Sequence, residues 1–261
     1  MKILHLLRHL YLVAEYFIRA WSISILYKDP QRRRHCWCRN VSHSAKRFQK
    51  ALNIKVKLFN EERLKEMKHS SYLLVANHSS YTDIIVLAAL EELVFITSVE
   101  MGNNPFLGSI TRMGGCLFTN RKNPMSLKEE IKIFSDTIAQ GFKVVLFPEG
   151  TSTNGKDIRE FRRSLFQIAL NENCPILPVC IKYTHLDGEP LNERSRDTIA
   201  WYGDMSFAPH FMKLIGHRID AEIHFLDITH NPGEKTRQEL SNSVYEQMRT
   251  CFHSGTAASY T

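Results

Sequence analysis

Several features that would identify a fold class directly are missing from the 261 residues. The chain has no internal repeat and no low-complexity stretch, and its nine prolines and twelve glycines are scattered as turn residues. Hydrophobic residues make up 43% and charged residues 23%, the balance of an ordinary globular protein. This composition excludes a disordered chain, a collagen-like fibre and a channel with many membrane spans. The length fits one large domain, or a domain of about 200 residues with an appendage.

Paired cysteine motifs are also missing. The six cysteines are spaced irregularly, and one residue separates the tightest pair, Cys36 and Cys38, where redox and metal motifs usually have two. A chain long enough to bury a sizeable core needs no disulfide framework. We therefore expect reduced thiols in a protein that faces the cytosol. We expect no metal, because the histidines and carboxylates show no usual ligand spacing.

A membrane-spanning helix needs about 20 apolar residues in a row, and the chain lacks such a run. The first 27 residues are the most apolar, but Arg8, Glu15 and Arg19 interrupt them, and no signal-peptide cleavage site follows. At about 100° per residue these charges and Ser22 share a narrow stripe, and apolar residues cover most of the remaining circumference. The pattern predicts a helix lying in a membrane interface. A core helix packed on the main domain is the alternative.

Positive charge is concentrated at the front of the chain. Residues 1–70 carry 16 Lys and Arg against 5 Asp and Glu, whereas the remaining residues carry 18 against 22. A cluster of cations between Lys28 and Arg39 follows the apolar segment, where it would attract anionic lipid. A solvated turn is the alternative for this cluster. Nucleic acid is not expected as a partner, because no motif beyond charge supports it.

The front of the chain therefore predicts an amphipathic helical hairpin. Pro30 ends the first helix, and a second helix is expected from about Cys36 to Leu52. We predict that residues 1–53 form this membrane-interface unit, and that residues 1–39 contact the anionic membrane surface.

From residue 54 onward short apolar strands alternate with helices, the pattern of an α/β fold. Functional sites in such a fold form at strand ends. We predict an α/β domain over residues 54–261, with a mixed β-sheet flanked by helices. Strands are expected at 54–59, 72–76, 94–97, 144–147, 176–182 and 222–225, and helices at 82–90, 127–140, 161–170 and 235–251.

A histidine follows the second predicted strand. Asn77 and His78 stand at the end of this strand, and Asp83 lies five residues after the histidine in the first turn of the next helix. An imidazole can take a proton from a hydroxyl near neutral pH, and a carboxylate at its other nitrogen stabilises the imidazolium. The pair matches the base and orienting acid of a triad without a protein nucleophile. Many loops carry such a pair by chance.

Two other strand ends carry polar groups. Glu149, Gly150 and Thr151 follow a buried strand, where a carboxylate and hydroxyl beside a glycine suit a polyol ligand. Arg121 follows another short apolar run, and its planar guanidinium suits a phosphate. A plain β-turn and a surface arginine are the alternatives.

Taken together, these segments resemble the glycerolipid acyltransferase family, specifically the 1-acyl-sn-glycerol-3-phosphate (lysophosphatidate) acyltransferases. Four motifs in the family's order, over roughly residues 54–225, carry the resemblance. They are Asn-His-x4-Asp at Asn77, His78 and Asp83; Gly-x-x-Phe-x-x-Arg at Gly115, Phe118 and Arg121; Phe-Pro-Glu-Gly-Thr at Phe147–Thr151; and apolar-Pro-apolar at Leu177–Val179. Where the family often has Phe-Lys-x-Gly, this chain has Phe161-Arg162-Arg163-Ser164, which leaves a ligand role for Arg162 open.

The resemblance implies acyl transfer without an acyl-enzyme. His78, held by Asp83, would act as general base on the sn-2 hydroxyl of lysophosphatidate, giving phosphatidate for phospholipid synthesis. Acyl-coenzyme A or an acylated acyl carrier protein would be the co-substrate, and no cofactor is implied. Arg121 would hold the acceptor's phosphate. The residues implied to position its glycerol and phosphate are Glu149, Gly150 and Thr151.

The expected location is the cytoplasmic face of the inner membrane or of an endomembrane.

Three other interpretations of the function remain. The same chemistry could act on another lysolipid, such as a lyso-aminolipid or lysocardiolipin. The His–Asp pair could instead activate water in a thioesterase or phospholipase. The chain could also be a membrane-binding adaptor without catalysis.

Overall fold

A computed structural model of the chain describes residues 2–254. The helices are α1 Lys2–Leu26, α2 Pro30–Ala51, α3 Glu61–Glu66, α4 Tyr81–Leu90, α5 Val99–Gly102, α6 Leu107–Met113, α7 Leu127–Ala139, α8 Gln167–Glu172, α9 Glu193–Ile199, α10 Phe207–Leu214 and α11 Arg237–His253. The strands are β1 Ile54–Phe59, β2 Leu73–Ala76, β3 Val94–Ser98, β4 Leu117–Thr119, β5 Val144–Leu146, β6 Ile176–Leu186, β7 Glu189–Pro190 and β8 Ile219–Phe225.

The strands form one mixed sheet in the order β1-β8-β6-β2-β5-β3-β4, with β7 paired to the end of β6. β8 runs antiparallel to β6, whereas the pairs from β6 through β2, β5 and β3 to β4 are parallel. Alternate residues of β2 face two apolar clusters, with Leu74 in one and Leu73 in the other. A sheet covered by helices on both faces confirms the predicted fold class. Because β2 and β5 are parallel neighbours, the segments that follow them leave the same edge of the sheet.

The hairpin consists of α1 and α2. The second helix begins at Pro30, six residues before the predicted start, because Asp29 caps it by accepting from the amide of Arg32 at 2.7 Å. Proline has the right φ for a first helical position, so it opens this helix as well as following the first. One residue of the polar stripe of α1, Glu15, contacts α2 by pairing with Arg47, whereas Arg8 and Arg19 of the stripe are exposed.

One side of α1 packs inward, with Leu12, Tyr16 and Ala20 buried. Much of its other side is apolar and exposed, so α1 shares features of both interpretations given above. Nowhere in residues 2–254 is there a helix of the length and hydropathy required to cross a membrane. The boundary after residue 53 stays a prediction, because Leu52 packs in the same apolar cluster as the sheet.

The helix predicted at 161–170 is wrong in its first half. Residues 164–166 form a 3-10 turn, and α8 starts at Gln167. The preceding backbone is instead held by the loop after β5, because the amide of Arg162 donates to the carbonyl of Pro148 at 2.8 Å. The strand end expected before Arg121 is present as β4, whereas the sequence does not predict the strand β7 or the short helices α3, α5, α6, α9 and α10. The last strand begins three residues before the prediction, at Ile219.

Candidate active site

His78 lies where β2 ends and the chain turns into α4. The strand is buried along its whole length, and Asn77 fixes its end through two hydrogen bonds with the backbone of Ile181, at 2.9 and 2.8 Å. Ser80 caps α4, and Asp83 in the first turn completes a capping box. This tight turn brings Nδ1 of His78 to 2.9 Å from Oδ2 of Asp83.

The carboxylate of Asp83 is fully buried among hydrogen-bond donors. Besides the imidazole, Oδ2 accepts from the amides of Ser79 and Ser80 at 2.7 and 2.9 Å. Oδ1 accepts from the hydroxyl of Tyr183 at 2.8 Å, and Oγ1 of Thr82 lies 2.7 Å from the same hydroxyl. Burial, followed by the charge of Asp83, raises the pKa of Tyr183, so the hydroxyl keeps its proton. Four donors thus hold the carboxylate in one orientation.

The environment of His78 sets which of its nitrogens is basic. A carboxylate accepts from Nδ1, so the proton of the neutral ring belongs on Nδ1 and the lone pair on Nε2. Among residues 2–254, no hydrogen bond is made by Nε2 of His78, whose only ring hydrogen bond is the one from Nδ1 to Asp83. The ring stacks on Phe147 with centroids 4.1 Å apart, and its side chain is 18% exposed. The imidazole is therefore fixed in place with one nitrogen available to a ligand.

Glu149 is buried beside the histidine and is occupied by backbone. Its Oε1 accepts from the amide of His78 at 2.7 Å, and its Oε2 from the amide of Arg159 at 2.9 Å. Burial, only partly offset by these two bonds, raises the pKa of Glu149 to about 7. The carboxylate joins the loop after β2 to the loop after β5, and its side chain does not line the cavity described below.

Two guanidinium groups meet at the glycine of the loop after β5. Arg121 donates to the carbonyl of Gly150. A Cβ added to Gly150 would lie 2.8 Å from Nε of Arg162, and the glycine has a φ of 74°, which disfavours other residues. Burial, followed by repulsion from Arg162, lowers the pKa of Arg121. Two neighbouring cations with no ion pair among the described residues form an arrangement suited to an anion.

These groups open onto a cavity of about 890 Å³. His78, Gly150, Thr151 and the two arginines lie at its polar part. Its apolar part is bordered by α1, α2, α4, α6 and α10. The residues contributed by the hairpin are Leu6, His9, Leu10, Val13, Tyr16, Val41, Ser44, Ala45 and Phe48. A volume of this size, mostly apolar with a few polar groups at one place, suits a lipid chain attached to a polar head.

The structure brings five of the six predicted site residues together. His78, Arg121, Gly150 and Thr151 line the cavity, and Asp83 lies directly behind the histidine. Glu149 is adjacent but directed at the backbone. Across residues 2–254 we find no group of three His, Cys, Asp or Glu side chains arranged to hold a metal ion.

Tyr183 and the tract Trp201–Gly203 lie outside the expected set. Tyr183 is 100 residues from the aspartate that it contacts, so no local pattern in the sequence signals the pair. The tract places two aromatic residues beside a glycine and belongs to none of the four motifs. In the structure it lines the cavity, and the amide of Trp201 donates to the carbonyl of Ser79 at 2.8 Å.

Comparison with known proteins adds independent evidence. A family model described as "Acyltransferase" matches residues 55–182. Lyso-ornithine lipid O-acyltransferases of Rhizobium meliloti and Pseudomonas aeruginosa are 28% and 31% identical over 68% and 74% of this chain, covering 63% and 72% of their own lengths. A 1-acyl-sn-glycerol-3-phosphate acyltransferase of Neisseria gonorrhoeae is 24% identical over 68% of each chain.

The chain spans less than two thirds of some of these relatives, namely 63% of the Rhizobium protein and 60% of its Rhodobacter capsulatus counterpart. The crystal structure of the lysophosphatidate acyltransferase PlsC from Thermotoga maritima shares the fold, with a TM-score of 0.65 and 19% identity. The match covers 98% of this chain and 100% of that one. The family match and the extended identity to the Pseudomonas relative show that this chain belongs to the acyltransferase family.

Proposed function

We propose that this protein transfers an acyl group from an acyl thioester to the free hydroxyl of a lysolipid. The observation that carries this proposal is the hydrogen bond between His78 and Asp83 at the polar end of a largely apolar cavity. A fixed base beside an apolar space of lipid size provides both the chemistry and the binding volume.

The proposed reaction starts with proton abstraction. Nε2 of His78 takes the proton of the acceptor hydroxyl as its oxygen attacks the thioester carbonyl. The C–S bond then breaks, and the departing thiolate receives the proton from the imidazolium. Asp83 stabilises that imidazolium through Nδ1, and positioned base catalysis of this kind contributes about 10²–10⁴-fold in rate. The acyl group passes directly to the acceptor, so no serine or cysteine of the chain is acylated.

For the acceptor we propose a lyso-ornithine lipid. Four relatives bearing that name, 27–33% identical over 62–74% of this chain, support it. The sequence motifs alone favoured lysophosphatidate and gave a lyso-aminolipid as the alternative. Ornithine carries a carboxylate, which the guanidinium groups of Arg121 and Arg162 would bind.

Lysophosphatidate is the second candidate. Two adjacent guanidiniums also suit the greater charge of a phosphate, and the Neisseria relative carries that activity in its name. In both cases Gly150 lets a headgroup approach the loop, Thr151 supplies a hydroxyl at the cavity wall, and Glu149 keeps the loop beside His78.

We further propose that the protein binds an anionic membrane from its cytoplasmic face through residues 1–39. The exposed apolar side chains of α1 are Ile3, Leu4, Leu7, Leu10, Tyr11, Ile18, Trp21, Ile25 and Leu26. The cations after α1 would reinforce this contact. Acyl-coenzyme A or an acylated carrier protein remains the proposed donor.

Purified protein in anionic vesicles tests the proposal. Lyso-ornithine lipid and lysophosphatidate are offered separately with each thioester donor, and products are identified by mass spectrometry. We expect ornithine lipid to form fastest, and His78→Ala to abolish its formation. His230→Ala, which removes a surface imidazole paired with Glu66, should change nothing. A folded wild-type protein that acylates neither acceptor contradicts the proposed function, and preference for lysophosphatidate contradicts only the acceptor.

A further inference from the structure

The exposed side chains in the cavity wall fall into two chemical groups. One group, the polar rim, consists of Arg121, Asn123 and Arg162. The other, the apolar rim, consists of Leu10, Phe106, Ala208 and Met212, of which Leu10, Phe106 and Met212 are 55%, 43% and 49% exposed. A residue that both lines a cavity and faces solvent marks an opening. The cavity is thus open where apolar side chains from three separate elements border it.

Aromatic contacts pack the elements that carry the apolar rim against one another. The ring of Phe106, before α6, lies 6.2 Å from that of Phe207 in α10, and Phe207 stacks on Phe211 at 5.6 Å. Phe211 meets His9 of α1 at 5.4 Å, and Phe17 of α1 lies 6.3 Å from Phe106. The two ends of this chain of rings therefore return to the same helix, and the apolar rim is continuous with α1.

The geometry of α1 explains this continuity. At about 100° per residue, its exposed apolar side chains occupy one sector of the helix and its cavity-lining side chains the adjacent sector. Leu10 belongs to both sets, so it stands at the border between the proposed membrane face and the cavity. A lipid surface in contact with α1 would reach the apolar rim without crossing a polar barrier at this border.

We propose that the apolar rim is a second membrane-contacting surface, formed by α10 and Phe106 together with Leu10, through which lipid chains slide from the bilayer into the cavity. The partner is the acyl region of a membrane leaflet. This inference deepens the proposed function, because it assigns an entry route to the same cavity. The polar rim is left to the headgroup and the thioester carrier.

The chemistry of the apolar rim favours a membrane over water as its surroundings. The transfer of an exposed Phe or Met side chain from water into an apolar medium is favourable. Contact with a bilayer would therefore stabilise Phe106 and Met212 relative to contact with water. A lipid that enters here keeps its chain in apolar surroundings throughout its transfer. A second copy of this chain is the competing occupant of the surface, and its presence is an outcome of the test.

The test uses the full chain with Phe106→Asp, Met212→Asp and the double variant. Ile133→Asp is the matched control, because Ile133 is 46% exposed on α7 and does not line the cavity. Thermal unfolding verifies the fold of each variant, and Met212→Gln replaces any variant that fails to fold. Two readouts are made: sedimentation with anionic phosphatidylglycerol vesicles, and acyl transfer to a long-chain lysolipid in those vesicles against a short-chain lysolipid that stays monomeric in water.

We expect each rim variant to bind vesicles about tenfold more weakly, because an apolar anchor is replaced by an anion that the membrane repels. Transfer to the vesicle-borne acceptor should fall to a similar extent, and several-fold more than transfer to the soluble acceptor, which meets the same cavity wall but needs no contact with the membrane. Unchanged vesicle binding by the double variant overturns the inference. So does an equal loss on both acceptors, or a dimer in light scattering that the variants convert to monomer.

The experiment separates the inference from the proposed function. If wild-type protein transfers no acyl group to either acceptor, the proposed function fails, while sedimentation still decides whether the apolar rim contacts a membrane. If wild-type protein is active and rim variants match it on vesicles, only the entry route fails.

Discussion

The strand ends around His78 and the hairpin of α1 and α2 are built in contrasting ways. At the strand ends nearly every polar atom has a partner: Asp83 accepts four hydrogen bonds and Glu149 accepts two. In the hairpin Glu15 of α1 pairs with Arg47 of α2, and a broad apolar surface of α1 remains exposed. At the strand ends the protein itself supplies the hydrogen-bond partners of the two carboxylates. In the hairpin the exposed apolar face of α1 is a surface that a lipid membrane would cover.

This contrast indicates where precision matters in the molecule. A base must be held within a few tenths of an ångström of its productive position, which rigid strand ends and buried hydrogen bonds provide. A membrane contact tolerates local variation, because burial of apolar area has no strict geometry. Substitutions at the strand ends should therefore lower the rate without changing membrane affinity. Substitutions on the exposed face of the hairpin should lower membrane affinity without changing the rate on a soluble acceptor.

The largest expected effect comes from Asp83→Asn. The carboxylate accepts with both oxygens, whereas an amide accepts with one atom and donates with the other. The amide would therefore favour the wrong imidazole tautomer, and we expect kcat to fall by about 10³-fold. Steady-state kinetics measures this, and vesicle sedimentation should be unchanged.

The molecule provides a matched control in a second His–Asp pair, His217 and Asp187, 2.6 Å apart at the surface. Asp187→Asn removes the same contact away from the cavity and should leave kcat near wild type. Equal losses in both variants would show that the Asp83 effect is not specific to the site.

Glu149→Gln tests the hydrogen-bonded region through stability. Burial raises the folded-state pKa of Glu149 to about 7 from an ordinary value of 4.5. Between these values the folded protein holds a proton that the unfolded chain has released, so this group makes the free energy of unfolding fall as pH rises from 4.5 to about 7. The contribution is at most about 3 kcal/mol across the window, and it disappears in the variant.

Urea unfolding at several pH values between 4.5 and 8 measures this difference. The variant should also be less stable overall, because one backbone amide loses its acceptor. If the gap between wild type and variant stayed constant across the window, the carboxylate would not titrate there.

The hairpin is tested by Ile18→Ser combined with Trp21→Ser, which removes two of its exposed apolar side chains. We expect vesicle affinity to fall about tenfold, with the melting temperature unchanged because neither side chain packs in the core. Activity on a monomeric short-chain acceptor should persist. Retained vesicle binding would instead assign the membrane contact to another surface.

The smallest expected effect is that of Tyr183→Phe. Loss of the hydroxyl removes the hydrogen bond that Oδ1 of Asp83 accepts, so the carboxylate becomes more basic and the imidazolium that it faces becomes more stable. We expect kcat to fall about three- to tenfold with KM unchanged. The acidic limb of the pH–rate profile should shift to higher pH. Tyr245→Phe removes a hydroxyl whose longer contact, 3.5 Å to Ile158, lies away from the site, and should not move that limb.

The sequence was most informative where a motif is local. The turn from Asn77 to Asp83 is a strand end followed at once by a capped helix, so spacing alone placed the imidazole near the carboxylate. The alternation of strands and helices predicted the α/β class, because each element is a local pattern. The strand order and the mixed strand directions depend on pairings between distant segments, such as Leu73 with Ile176.

Predictions failed where distant contacts decide. The amides of Arg159 and Arg162 bond to the loop after β5, which prevents the helix that residues 161–170 favour locally. Tyr183 reaches Asp83 from a strand far along the chain. The short helix α10 is positioned by aromatic contacts with α1 and Phe106, which are distant in the sequence. Its eight residues are too few to show a helical periodicity from which it could be predicted.

We propose that His78 activates a lysolipid hydroxyl for direct acyl transfer. A single-turnover experiment tests it most directly: protein is mixed with radiolabelled acyl thioester, quenched before and after lysolipid is added, and analysed for free thiol, labelled lipid and labelled protein. We expect thiol and labelled lipid to form together only after lysolipid is added, the protein to carry no label, and His78→Ala to form neither product. Labelled protein before the acceptor is added, or thiol released equally fast without it, would contradict direct transfer to the lysolipid.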